Sequence, residues 1–223
     1  MKPRPIGAFF RLSLGTHMEE DFPEYEDYQR HQRPTLVDDK SHQNHWRNRA
    51  NDLHASAGAI WLSMSNGRGH DAARELGLGE GFDMHLACSH VYHMLCGLSL
   101  EVAMKAALVS QGITPPEKHD LNLLAHLLGV KRNPAQKKIL NFYQHSVVWA
   151  GRYPVPVNAT DEKLIDYYEM ANTVLYKGKT VIKGTTINIK TYSPTGATSW
   201  ERYDALYKNY TALFDHRSPV KAK

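Results

Sequence analysis

Cysteine is almost missing from this chain. The two present, Cys88 and Cys96, stand eight residues apart in one helical stretch, where helical rise separates them by about 12 Å, beyond disulfide reach. That excludes a disulfide-stapled scaffold and sets the expectation of a reducing, cytoplasmic setting. Long apolar runs are also missing: no stretch approaches the roughly 20 residues that cross a bilayer, so no membrane partner is expected. The beginning of the sequence carries Lys2, Arg4 and Arg11 around a short apolar "IGAFF" without a small-residue cleavage pattern, and it does not read as a signal peptide. Strong charge of either sign is lacking. The formal net charge is +4, which permits nucleic-acid contact without requiring it. The glycine-rich "GLGEGFD" lacks the lysine and the preceding strand of a phosphate-cradling loop, and no Gly-x-Ser-x-Gly elbow occurs.

What the chain does have is helical periodicity. Its 223 residues fit one domain with appendages. Residues 1–44 mix acidic "EEDFPEYEDY" with basic "RHQRP" and read as an extended arm. From His45, Trp46, Ala50, Leu53, Ala57, Ile60 and Met64 recur at spacings of three and four, an amphipathic helix. A glycine-punctuated loop follows, with room for one helical turn. From Met84 to about Gln111, Val91, Leu95, Leu98, Val102, Ala106 and Val109 form an apolar stripe. His90, His93, Gly97, Glu101 and Lys105 form a polar stripe on the same helix, with Glu101 and Lys105 an i,i+4 pair. A short helix with Leu121, Leu124 and Leu128 inward comes next. Another opens at Pro134 with Ile139, Phe142 and Trp149 on one face. Thr160 caps a further helix, "TVIKGTTINIKT" alternates as a two-strand ribbon, and Tyr203, Leu206, Tyr210 and Leu213 mark a closing helix. The expected fold is all-α: an antiparallel helical bundle of four to five core helices over residues 45–178, preceded by the arm. Residues 179–223 supply a small β-hairpin near 180–191 and a helix packing on the bundle.

Three pieces stand in fixed order: "GLSLEVAMKAALVSQG", "HDLNLL" and "WAGRYP". Together they resemble the HEPN superfamily, in its Arg-Tyr-Pro branch, over roughly residues 45–175. The resemblance implies helical domains that commonly dimerise, found beside nucleotidyltransferases and in prokaryotic defence and toxin systems. It implies nucleotide or RNA binding, an accessory or defence role, and either a nucleotidyltransferase or another operon partner. Residue by residue, it carries over to Glu101, Lys105, His119 and Arg152, with Tyr153 beside them. A second branch consists of metal-independent ribonucleases that use an arginine and a histidine with four to six residues between them. Here that signature is not near the fourth helix.

Several residue sets compete as sites. "RNRANDLH" gives Arg47 or Arg49 with His54 at the nuclease spacing, where the histidine would take the ribose 2'-hydroxyl proton and the arginine would stabilise the phosphorane. Arg11 and His17 share that spacing by accident. Adjacent His119 and Asp120, with His54, His90 or His93 and Asp166, match a helical metal phosphohydrolase on paper. The favoured reading is that Asp120 serves a helix N-terminus. His90, His93 and Cys96 have ligand-like spacing but no second cluster completes a zinc set. No metal and no cofactor are therefore expected. The remaining reading is a purely structural, protein-binding bundle. For Arg152, fixed between a helix end and a proline, the expectation is a seam with Glu101, Lys105 and His119, because an unpaired buried carboxylate is costly.

Overall fold

The computed structural model describes residues 37, 40–65, 67–181 and 190–215. The chain divides into two units between Ser41 and His42. Most of the expected arm, with Arg11 and His17, lies outside the described residues, as does the tip of the expected hairpin at 182–189.

The second unit is mainly helical, with seven α-helices and one small antiparallel sheet among the described residues. Helix α1 spans Gln43–Met64, with Ala50, Ala57 and Met64 buried. The glycine-rich segment holds more than one turn. Helix α2, Arg68–Glu75, begins at Gly67 in the left-handed region (φ 74°) and buries Ala73. Helix α3, Met84–Ser110, is capped by the Asp83 carboxylate and forms the centre of the unit. It packs against α1 along most of its length and against the last helix and the turn described below. Val91, expected in its apolar stripe, is exposed, whereas Glu101 and Lys105 of the polar stripe are buried.

Helix α4, Leu121–Leu127, is started by Asp120, whose carboxylate accepts the Leu123 N–H at 2.9 Å. The Gln144 side-chain carbonyl accepts the Leu121 N–H at 3.2 Å, tying α4 to α5, Pro134–His145. Asn133 and Gln136 make a reciprocal capping box at the start of α5, satisfying two otherwise orphaned donors. Helix α5 does not run straight to its end. Residues Ser146–Ala150 form a π-helical turn, in which the Gly151 N–H reaches five residues back to the Ser146 carbonyl at 3.0 Å. Helix α6, Asp161–Leu175, starts at Thr160 as the sequence indicates.

Strands β1, Tyr176–Val181, and β2, Lys190–Pro194, pair antiparallel, with Tyr176 opposite Pro194 and Val181 opposite Lys190. An extra residue in β1 between Lys177 and Thr180 breaks the register, at Gly178 with φ 78°, the conformation a bulge assigns to glycine. Helix α7, Trp200–Thr211, closes on α3. Its core face is Tyr203, Tyr207 and Tyr210, so Tyr207 takes a place that the leucine spacing does not reveal.

Two glycines set how closely the helices approach. A Cβ on Gly97 of α3 would lie 2.6 Å from the Tyr143 carbonyl oxygen and 2.6 Å from Val147 Cγ2. A Cβ on Gly151 would lie 2.4 Å from Met94 Cβ and 2.8 Å from the Ser146 carbonyl oxygen. The end of α5 and its π turn therefore press backbone-close against α3.

Candidate functional site

Glu101 sits on the inner side of α3 with its side chain only 5% exposed. One turn on, the Lys105 ammonium lies 2.8 Å from Glu101 Oε1, and it too is buried. His119, in the loop before α4, brings Nδ1 to 2.9 Å from Oε2 and 3.0 Å from Oε1 of the same carboxylate. A carboxylate only accepts, so Nδ1 carries the hydrogen. The ring's other nitrogen, Nε2, then holds a lone pair when the imidazole is neutral and a second N–H when it is protonated. The His119 side chain is 52% exposed, and no described residue bonds Nε2. The cluster thus runs from a buried carboxylate, neutralised by a buried ammonium, to an oriented imidazole at the surface.

Arg152 does not join it. Its guanidinium donates to the Val148 carbonyl at 2.6 Å and lies 5.5 Å from the Tyr153 ring centroid; both residues are exposed. Glu101 makes its ion pairs with Lys105 and His119 among the described residues. The π turn gives the physical reason: it holds an extra residue per turn, so side chains beyond it rotate away from the face that α-helical spacing assigns. Arg152 instead closes the end of α5, its cation against the carbonyl end of the helix.

Helix α1 carries the second set. Positions seven apart return to nearly the same face, while positions five apart do not. Arg47, Asn51 and His54 share the face toward α7, and Arg49 is exposed elsewhere. His54 Nε2 lies 3.0 Å from Asp204 Oδ1, and Lys208 reaches the other oxygen of that carboxylate at 2.6 Å. The ring stacks on Tyr207 at 4.1 Å and lies 4.8 Å from Trp200. Burial pulls His54 below the usual imidazole range against the opposing pull of Asp204. Tyr207 donates its hydroxyl to Asn51 Oδ1 at 2.9 Å, and the Arg47 guanidinium lies 5.5 Å from the Phe214 ring centroid.

Other histidines have ordinary reasons to be where they are. His93 packs edge-on to Phe142 at 5.0 Å, and burial pushes it down to about 3. His145 accepts the Trp149 indole N–H on Nδ1 at 3.3 Å. Asp120 is spent on its cap. Among the described residues no group of three or more His, Cys, Asp or Glu side chains is placed to share a metal ion.

A buried polar group between α3, α5 and α7 escaped the sequence reading. Ser99 donates to the Cys96 carbonyl at 2.8 Å, so the hydrogen in its short contact with Tyr203 comes from the phenol. Tyr92 donates to the Thr198 carbonyl at 3.1 Å. The Tyr143 hydroxyl is buried beside them without a protein partner among the described residues. Burial raises the Cys96 thiol, which keeps it protonated and unreactive. The one legible signal was the Tyr203–Tyr207 repeat, which marks an inward phenol row once α7 is recognised.

No family model, curated protein or solved structure matches this chain.

Proposed function

We propose that this chain is a HEPN-like helical bundle that binds a phosphate-bearing ligand, a nucleotide or RNA, at the mouth formed by His119 over Glu101 and Lys105. The observation that carries the reading is the Nδ1 contact of His119 with a buried, already neutralised carboxylate. That contact spends one nitrogen on orientation and leaves Nε2 for a ligand. A purely structural pair gains little from a half-exposed third member, because exposed ion pairs contribute little. A phosphate oxygen gains a charge-assisted hydrogen bond from the imidazolium. The homodimer and the nucleotidyltransferase or operon partner implied by the resemblance belong to the same proposal, with an accessory or defence role.

A second reading has its own support. Arg47 and His54 share one face of α1, and Asp204 orients the histidine, the arrangement a metal-independent ribonuclease would use. The two separate cleanly. The binding module retains AMP or short RNA intact in chelator, and His119→Ala lowers affinity at least about tenfold, one charge-assisted contact. A nuclease instead cleaves RNA in chelator, and the cleavage disappears in His54→Ala. Wild-type protein that neither binds nor cleaves leaves the structural, protein-binding bundle.

A further inference from the structure

Between Asp120 and Asp161 the chain has no acidic residue: residues 121–160 contain Lys131, Arg132, Lys137, Lys138 and Arg152 and no Asp or Glu. The fold gathers most of this charge at one corner. Arg132 and Arg152 are engaged with backbone carbonyls, Arg132 with Val130 and Asn122 and Arg152 with Val148. Lys131, Lys137 and Lys138 are exposed, and none is in an ion pair with a described residue. Two of them lie in the first two turns of α5, a helix with no acidic residue in its first turn. Their charges have no carboxylate partner among the described residues, and a bound polyanion would supply one.

The corner adjoins His119. The Asn122 side-chain amide donates to the Lys137 carbonyl at 3.0 Å, and the Arg132 guanidinium lies 3.2 Å from Asn122 Oδ1. The start of α5 and the loop before it are thereby clamped to the first turn of α4, three residues beyond His119. We infer that Lys131, Lys137 and Lys138 form a track for the phosphates of a single-stranded nucleic acid, one end of which meets His119. The inference rests on the binding reading above and names its ligand as an RNA strand rather than a free nucleotide. The patch is small, three side chains within eight residues, and suits one flexible strand better than duplex RNA, whose recognition by double-stranded-RNA-binding domains spans about 16 base pairs. Its exposed neighbours from 133 to 136 are Asn, Pro, Ala and Gln. A membrane surface would want large apolar side chains there.

The test titrates full-length wild type and the triple variant Lys131→Gln, Lys137→Gln, Lys138→Gln with three probes. These are AMP, a labelled single-stranded RNA of about 12 nucleotides, and phosphatidylserine vesicles, each from about 50 to about 200 mM salt. The side chains are exposed, and the Asn122 bond uses the Lys137 backbone, so the variant keeps the fold; matching thermal melts check this. The expected result is RNA affinity at least about tenfold weaker near 0.1 M salt, with the log–log salt slope about 2 shallower, and AMP binding unchanged. Unchanged RNA affinity and slope, with AMP still bound, overturns the track and leaves the His119 reading standing. No binding of AMP or RNA by either protein overturns both. Vesicle binding that the triple variant loses, without RNA binding, reassigns the patch to a membrane surface and overturns the inference.

Discussion

Glu101 serves two cations of unequal exposure, and that inequality predicts how its neighbours respond to substitution. Lys105 is buried with it, while His119 is half in solvent. Removing the carboxylate leaves an ammonium buried and unpaired, so Glu101→Ala should lower stability by about 3 kcal/mol or more in urea denaturation. His119→Ala should cost less than about 1 kcal/mol, the scale of an exposed pair. Equal losses from the two would mean that His119 is as structural as Lys105. His93 carries the pH argument. Its folded value, about 3, lies below the ordinary imidazole value near 6.5. The unfolded chain therefore binds the extra proton. Stability from this group is intact above pH 6.5 and falls with acidity by roughly 1.4 kcal/mol per pH unit down to the folded value. Comparing wild type with His93→Gln between pH 7 and pH 5 should show a shallower acid slope in the variant. Identical slopes would place the proton uptake elsewhere.

At the scale of elements, helical periodicity made most of the fold legible. The start of α6 at Thr160, the capping of α4 by Asp120 and the i,i+4 pair on α3 all follow from short-range rules that need no tertiary information. Three things were not legible. Helix α2 hides between glycines that read as a loop. The π turn at 146–150 leaves no mark in the helical spacing, and beyond it Arg152 lies away from the seam. The His54–Asp204 contact joins residues 150 apart in the chain, which no local pattern encodes. Gly97 tests the packing account. In an isolated helix Gly→Ala gains up to about 1 kcal/mol. Here the new Cβ meets a carbonyl oxygen of α5 at 2.6 Å, and backbone does not yield cheaply. Gly97→Ala should therefore destabilise by about 1–3 kcal/mol. A thermal melt at or above that of wild type would show that the helices separate without cost.

For the whole molecule, a modest net charge of +4 conceals an uneven distribution, with forty consecutive residues lacking any carboxylate. Net charge averages over the chain, whereas the fold concentrates lysines beside the start of α4. Composition alone therefore does not show where the charge sits. The central claim is that His119 is oriented for a ligand rather than for stability. Long-range nitrogen–proton correlation spectra of the histidine rings test it most directly, before and after addition of AMP or a short RNA. The account predicts an Nδ1–H tautomer for neutral His119, and an Nε2 resonance that moves on titration while those of His54 and His93 stay put. An Nε2–H tautomer in the free protein, or a His119 resonance indifferent to saturating nucleotide and RNA, would contradict it.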